Sequence, residues 1–107
     1  MKKWIDRQTL GGAGPENGTI LKDQEFDKKC RVILETKDDY RAITCLIYGG
    51  MDFSVYCSID KADHTFEAIK SELSKFMAIN HDDDNVIRFS EYLFHKYYLN
   101  EDVTYWE

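Results

Sequence analysis

The stretch from Cys30 to Ile59, CRVILETKDDYRAITCLIYGGMDFSVYCSI, constrains the fold more than any other part of the chain. It holds three runs rich in β-branched, aliphatic and aromatic residues: Cys30 to Thr36, Tyr40 to Tyr48 and Phe53 to Ile59. That composition predicts strands. Asp38 and Asp39 separate the first two runs. Aspartate tolerates left-handed backbone, so the pair predicts a two-residue hairpin turn. The turn would pair Lys37 with Tyr40, Leu34 with Ile43, Val32 with Cys45 and Cys30 with Ile47. Gly49 and Gly50 mark a second reversal, because glycine reaches positive φ without steric cost. A loop centred near Met51 would pair Ile47 with Val55, Cys45 with Cys57 and Ile43 with Ile59.

Both registers put Cys30, Val32, Leu34, Ile43, Cys45, Ile47, Phe53, Val55, Cys57 and Ile59 on one face. A slip of one residue in either pairing would destroy that agreement, so this face is the expected core. The opposite face carries Arg31, Ile33, Glu35, Tyr40, Ala42, Thr44, Leu46, Tyr48, Ser54, Tyr56 and Ser58. This mixture predicts partial cover by the N-terminal segment. Any large apolar area left open there would be a contact surface for another protein.

The flanks complete the architecture. Trp4-Ile5 reads as a short strand or tether, and Gly11 to Gly18 (GGAGPENG) as a mobile loop. The loop lacks the Lys-Ser/Thr pair and the following helix that a phosphate cradle needs. Thr19 to Asp23 reads as a short first strand and Gln24 to Lys29 as a connection. Asp60 or Asp63 can cap a helix whose buried stripe is Phe66, Ile69, Leu73, Phe76 and Met77. The loop NHDDDN, Asn80 to Asn85, lacks the ligand spacing of a calcium loop and reads as the cap of a second helix. In that helix Val86, Phe89, Leu93 and Tyr97 form one stripe and Ile87, Phe94 and Tyr98 another. The expected fold is therefore α+β, with residues 1–107 as a single domain. An antiparallel β-meander of three or four strands carries two C-terminal helices packed on one face, in two layers.

Charge narrows the function. The chain has a net charge of -6, and most of the imbalance is local. Asp82, Asp83, Asp84, Glu91, Glu101, Asp102 and Glu107 face only Arg88 and Lys96 in residues 80–107. Nucleic acid would be repelled, so it is not an expected ligand. A basic protein would be attracted and steered. The same region is aromatic, with Tyr98, Tyr105 and Trp106 near its end, and such residues commonly anchor interfaces. The expected partner-binding residues are accordingly Asp82, Asp83, Asp84, Glu91, Tyr98, Glu101, Asp102, Tyr105 and Trp106. Self-association into a homodimer through the mixed sheet face is a further expectation.

Other classes find less support. No apolar run is long enough for a membrane span, and Met1 to Leu10 lacks the apolar core of a secretory signal. A cytoplasmic location with three reduced cysteines is expected. His64, His81 and His95 do not form a zinc-ligand motif. Glu91 and His95, one turn apart, read as a surface pair. No cofactor fingerprint is visible, so no cofactor is expected. The enzymatic alternative is a small Cys/His or carboxylate site.

Cys30 to Glu35 (CRVILE) and Ala42 to Met51 (AITCLIYGGM) resemble a group of short bacterial proteins with an "AITCxIYGxM"-like strand. In those proteins an acidic "I-x-x-D-E-E" segment precedes the pair of strands, and Ile20 to Glu25 (ILKDQE) takes its place here. Leu46 and Gly50 depart from the pattern, and the likeness carries no activity. A looser resemblance, in size, acidity and α+β style, is to bacterial toxin-immunity proteins. It implies a stoichiometric inhibitor whose acidic, aromatic surface covers the basic active region of a toxin, such as a nuclease.

Overall fold

A computed structural model describes residues 4–103. Five strands form one antiparallel sheet in chain order: β1 Trp4–Asp6, β2 Thr19–Phe26, β3 Cys30–Lys37, β4 Tyr40–Ile47 and β5 Phe53–Ser58. Helix α1, Ile59–Met77, and helix α2, Asp83–Leu93, follow. The chain then continues from α2 into a π turn, Phe94–Tyr98. The α+β meander with two C-terminal helices is as expected, with one strand more. Trp4–Asp6 is a true edge strand paired with β2. Gln24 to Phe26, expected as a connection, extend β2, because Phe26 lies opposite Cys30 and is buried in the core.

The first hairpin has the predicted register, from Lys37 opposite Tyr40 to Cys30 opposite Ile47. Asp38 takes the left-handed turn position, with φ 47°. The second register differs by four residues: Cys45 faces Phe53 rather than Cys57, and Ile43 faces Val55 rather than Ile59. The reversal is centred on Gly49, at φ 84°, not on Met51. Gly50 N–H donates to the Ile47 carbonyl at 2.9 Å, and the Asp52 carboxylate accepts from Ile47 N–H at 3.2 Å. A slip of four is even, so every strand side chain keeps its face. Ile59 is the exception to the predicted core: it opens α1 and is 51% exposed. The residue flanking α1 is Ser58, and neither Asp60 nor Asp63 caps it.

The inner face meets α1 through Phe66, Ile69, Leu73, Phe76 and Met77, all buried. Burying each such side chain is worth roughly 1.5–3 kcal/mol. Phe89 of α2 stacks on Phe76 with ring centres 4.1 Å apart. Gly50 makes room for α2, since a Cβ there would lie 2.3 Å from Ser90 Oγ. Its role is close approach, whereas that of Gly49 is backbone conformation.

The outer face is covered by the segment expected to be mobile. Gly11 and Ile20 exchange backbone bonds with their neighbours across the loop, and Gly14 N–H bonds the Gly18 carbonyl at 2.9 Å. This folds Gly11 to Gly18 over the fully buried Glu35. The Glu35 carboxylate accepts from Gly18 N–H at 2.7 Å and from Glu16 N–H at 3.1 Å. The glycine-rich loop thus cradles an anion, but the anion is the chain's own. Beside it, the buried Asp23 carboxylate accepts from Nε and Nη2 of Arg31 and from the Thr9 hydroxyl. Burial pushes the Asp23 carboxyl up, but the bonds from Arg31 and Thr9 and the charge of Arg31 outweigh it, leaving it below its ordinary value of 3.8.

Glu35→Gln, which removes the charge from the acceptor, should cost about 1.5–3 kcal/mol in urea unfolding. Gly18→Ala should cost at least about as much, because its Cβ would fall 1.8 Å from the Thr36 carbonyl oxygen. Stability should also fall at both ends of the pH range. Asp23 contributes above pH 3.8, and its contribution is lost as pH drops through its lower folded value. Burial raises the Cys30 thiol from 9.0 to about 12, so stability declines as pH rises from 9.0 through that value. Unfolding midpoints measured across pH, with Cys30→Ser as the comparison, check the alkaline limb.

Candidate protein-binding edge

β5 ends the sheet and pairs only with β4 among the described residues. Strand alternation turns Phe53 and Val55 into the core and Tyr56 outward. Tyr40 shares the outer face, its ring 5.9 Å from that of Tyr56 and nearly perpendicular to it, at 79°. The π turn brings Tyr98 to the same place, 6.4 Å from Tyr56. Tyr98 stacks on Phe94 at 4.9 Å, and Phe94 meets Phe53 edge-on at 5.8 Å. Aromatic rings therefore run without a break from the core to solvent around the β5 edge. Tyr56 and Tyr98 are about half exposed, as are Ile59, three residues after Tyr56, and Leu99, next to Tyr98.

Alongside the edge lies a cleft of about 330 Å³, lined by Val55, Tyr56, Cys57, Ser58, Lys61, Thr65, Tyr97 and Asn100. Its far wall is held by Glu72 of α1. The Glu72 carboxylate accepts from the hydroxyls of Tyr92 and Tyr97 and from Lys96 Nζ at 3.1 Å. Burial, then the bond to Glu72, pushes the Tyr97 phenol far above its ordinary value. This clamp ties the π turn to α1 and so sets the position of Tyr98.

Acids ring the patch. The Glu16 carboxylate accepts from the Tyr56 hydroxyl at 2.7 Å, and that bond, with burial, raises the phenol to about 12. His95 Nδ1 contacts the Glu101 carboxylate, and Asp102 is exposed next to it. Tyr40 pairs with Ser58, which brings exposed Asp38 and Asp39 to the same end of the sheet as exposed Asp60. Bases on this side include Lys61 in the cleft lining, Arg41 opposite Cys57 and Lys37 opposite Tyr40.

The structure divides the residues expected to form the interface. Tyr98 lies at the β5 edge; Glu101, held by His95, and exposed Asp102 follow shortly after it in the chain. Asp82 caps α2 by accepting from Asn85 N–H at 2.9 Å, and Asp83 and Asp84 occupy its exposed first turn. From Asp82 to Tyr98 the helical path spans roughly 24 Å, so the two acidic groups stand at opposite ends of α2. Glu91 is exposed between them. Tyr105 and Trp106 lie outside the described residues. Tyr40, Tyr56 and Glu16 were missed as site residues. Alternation had put both tyrosines on the outer face, but nothing in the sequence marks the π turn that joins Tyr98 to them.

The remaining polar groups have local roles. His95 pairs with Glu101, not with Glu91 as expected. His81 stacks on Phe76 at 3.8 Å and its Nε2 contacts the Phe76 carbonyl. Cys30 and Cys45 are buried and Cys57 half-buried. Burial raises all three thiols, the direction opposite to nucleophile activation. Among the described residues no three His, Cys, Asp or Glu side chains converge as a metal site. No described helix is long and apolar enough to cross a membrane.

Glu16→Gln should lower the Tyr56 phenol from about 12 toward the ordinary 10.0, read by ultraviolet titration against a Tyr56→Phe reference. An unmoved transition would contradict the Tyr56–Glu16 bond. In comparison with known proteins, no family model matches this chain, and neither a curated protein nor a solved structure is similar to it.

Proposed function

We propose that this chain is a stoichiometric binding protein for a basic protein partner, acting as toxin-immunity proteins do. The observation that carries the reading is a half-exposed tyrosine array on an open sheet edge, ringed by carboxylates. Tyrosine supplies large contact area at little cost in side-chain entropy, and it is over-represented among residues that dominate binding energy. The net charge of -6 would speed encounter with a basic surface.

The two acidic regions then take different parts. Glu16, Glu101 and Asp102 flank the contact itself. Asp82, Asp83 and Asp84 stand at the other end of α2 and act through the long-range field. Charges of that kind alter association rate and salt dependence more than they alter dissociation.

The reading is tested with the neighbouring reading frame. Expressed alone, its product should arrest growth, and co-expression with this chain should restore it. The pair Tyr56→Ala and Tyr98→Ala should weaken binding by about a hundredfold, since each anchor of this type is worth about 1–2 kcal/mol. Reversing Asp83 and Asp84 to lysine, with the Asp82 cap left in place, should slow association and flatten its salt dependence, with little change in dissociation. A neighbouring product that is harmless, or whose toxicity persists beside this chain, would refute the proposal.

A further inference from the structure

Resting on that reading, we infer that the partner engages the β5 edge with an extended segment that adds to the sheet as a sixth strand, with basic and apolar side chains alternating. Sheet edges attract other strands, and proteins normally blunt them with charge, proline, a bulge or short length. β1, the opposite edge, is only three residues long and includes Asp6. β5 is six residues, FSVYCS, with no charge, proline or glycine. Among the described residues no loop, turn or side-chain hydrogen bond reaches the backbone of Phe53 to Cys57; the Ser58 carbonyl belongs to the first turn of α1. The cleft runs beside Val55 to Cys57 and ends at Ser58, where α1 begins.

The surroundings specify what such a strand would carry. Alternation gives it two faces. Side chains on the outer face would arrive beside Tyr56 and Tyr40, where Glu16 Oε2 has no bond among the described residues. A guanidinium or ammonium there gains an aromatic ring and a carboxylate. Side chains on the inner face would arrive beside Val55, Cys57 and Tyr97, an apolar lining. At the end of the cleft Ser58, Lys61, Thr65 and Asn100 make no side-chain hydrogen bond among the described residues. They are placed to meet the carbonyl oxygens of the added backbone. This is recognition by strand addition, in which main-chain bonds supply affinity and alternate side chains supply specificity. A second copy of the chain fits the edge less well, because it would bring the same acids together.

The test is a titration of the full, isotope-labelled chain with synthetic capped peptides, followed by amide resonances. The first peptide alternates arginine and valine, the second glutamate and valine. The third repeats the first with alternate backbone nitrogens methylated. The inference predicts that the arginine peptide shifts the amides of Val55 to Ser58 and of Tyr98 to Asn100. The methylated and glutamate peptides should bind about tenfold or more weakly, the methylated one through lost main-chain bonds. Glu16→Gln should weaken the arginine peptide severalfold. Equal binding of the methylated peptide would overturn the inference, as would shifts centred on Asp82 to Asp84 or no binding at all. Shifts of the β5 amides on raising protein concentration alone would overturn it in favour of a second copy. If growth protection holds while the peptide series fails, the strand-addition mode falls and the binding function stands.

Discussion

A β-strand has two faces, and in the middle of β3 and β4 both are buried. Val32, Leu34, Ile43 and Cys45 face α1, while Ile33, Glu35, Ala42 and Thr44 face the other way and are as fully enclosed. Such strands need cover on both sides, and the chain supplies it by two different means. The inner cover is apolar: Phe66, Ile69, Leu73 and Phe76 of α1 interdigitate with the sheet. The outer cover is polar: the backbone of a glycine-rich loop closes on the Glu35 carboxylate, beside the Asp23–Arg31 pair. A buried carboxylate is tolerable because backbone donors replace water around it. Gly14 and Gly18 permit that approach, for a Cβ at either would collide with Glu35 or with Thr36.

This two-sided cover determines where the molecule can present a surface. It is complete over the central strands and thins toward β5, where Tyr56 points out and Tyr98 comes round the edge. The clamp of Glu72 on Tyr92, Tyr97 and Lys96 fixes the π turn. Irregular helix of this kind often sits at functional positions. The half-exposed rings therefore stand on a rigid support and lose little freedom when covered. The acidic run at the start of α2 has a structural duty as well, since Asp82 satisfies a free helix N–H and Asp83 and Asp84 lie at the positive end of the dipole.

Much of the fold was legible in the residues, and the limits have a physical cause. Asp38-Asp39 dictated one tight turn, so the β3–β4 register followed residue by residue. The Gly49-Gly50 connection is longer, and alternation alone cannot distinguish registers that differ by an even number. The face was read correctly and the pairing was off by four. Gln24 to Phe26 looked too polar for a strand, yet of the three only Phe26 has to enter the core, while Gln24 and Glu25 stay half-buried. The candidate site was less legible. Tyr98 appeared in the sequence as a helix-stripe residue, and its contact with Tyr56 depends on the π turn and on Glu72, a residue with no local signature. The cover over Glu35 was equally hidden, because composition reports the conformational freedom of a glycine loop but not the anion it closes on.

The account turns on β5 being open on one side while its neighbours are sealed. Amide hydrogen exchange of the isolated chain measures this strand by strand. In an antiparallel edge strand, alternate amides bond inward and the others point away. The β3 and β4 amides should exchange only through global unfolding, and the outward half of the amides in Phe53–Ser58 should exchange orders of magnitude faster. Protection of those outward β5 amides equal to that of β4 would show the edge already occupied, and the account of this surface would be wrong.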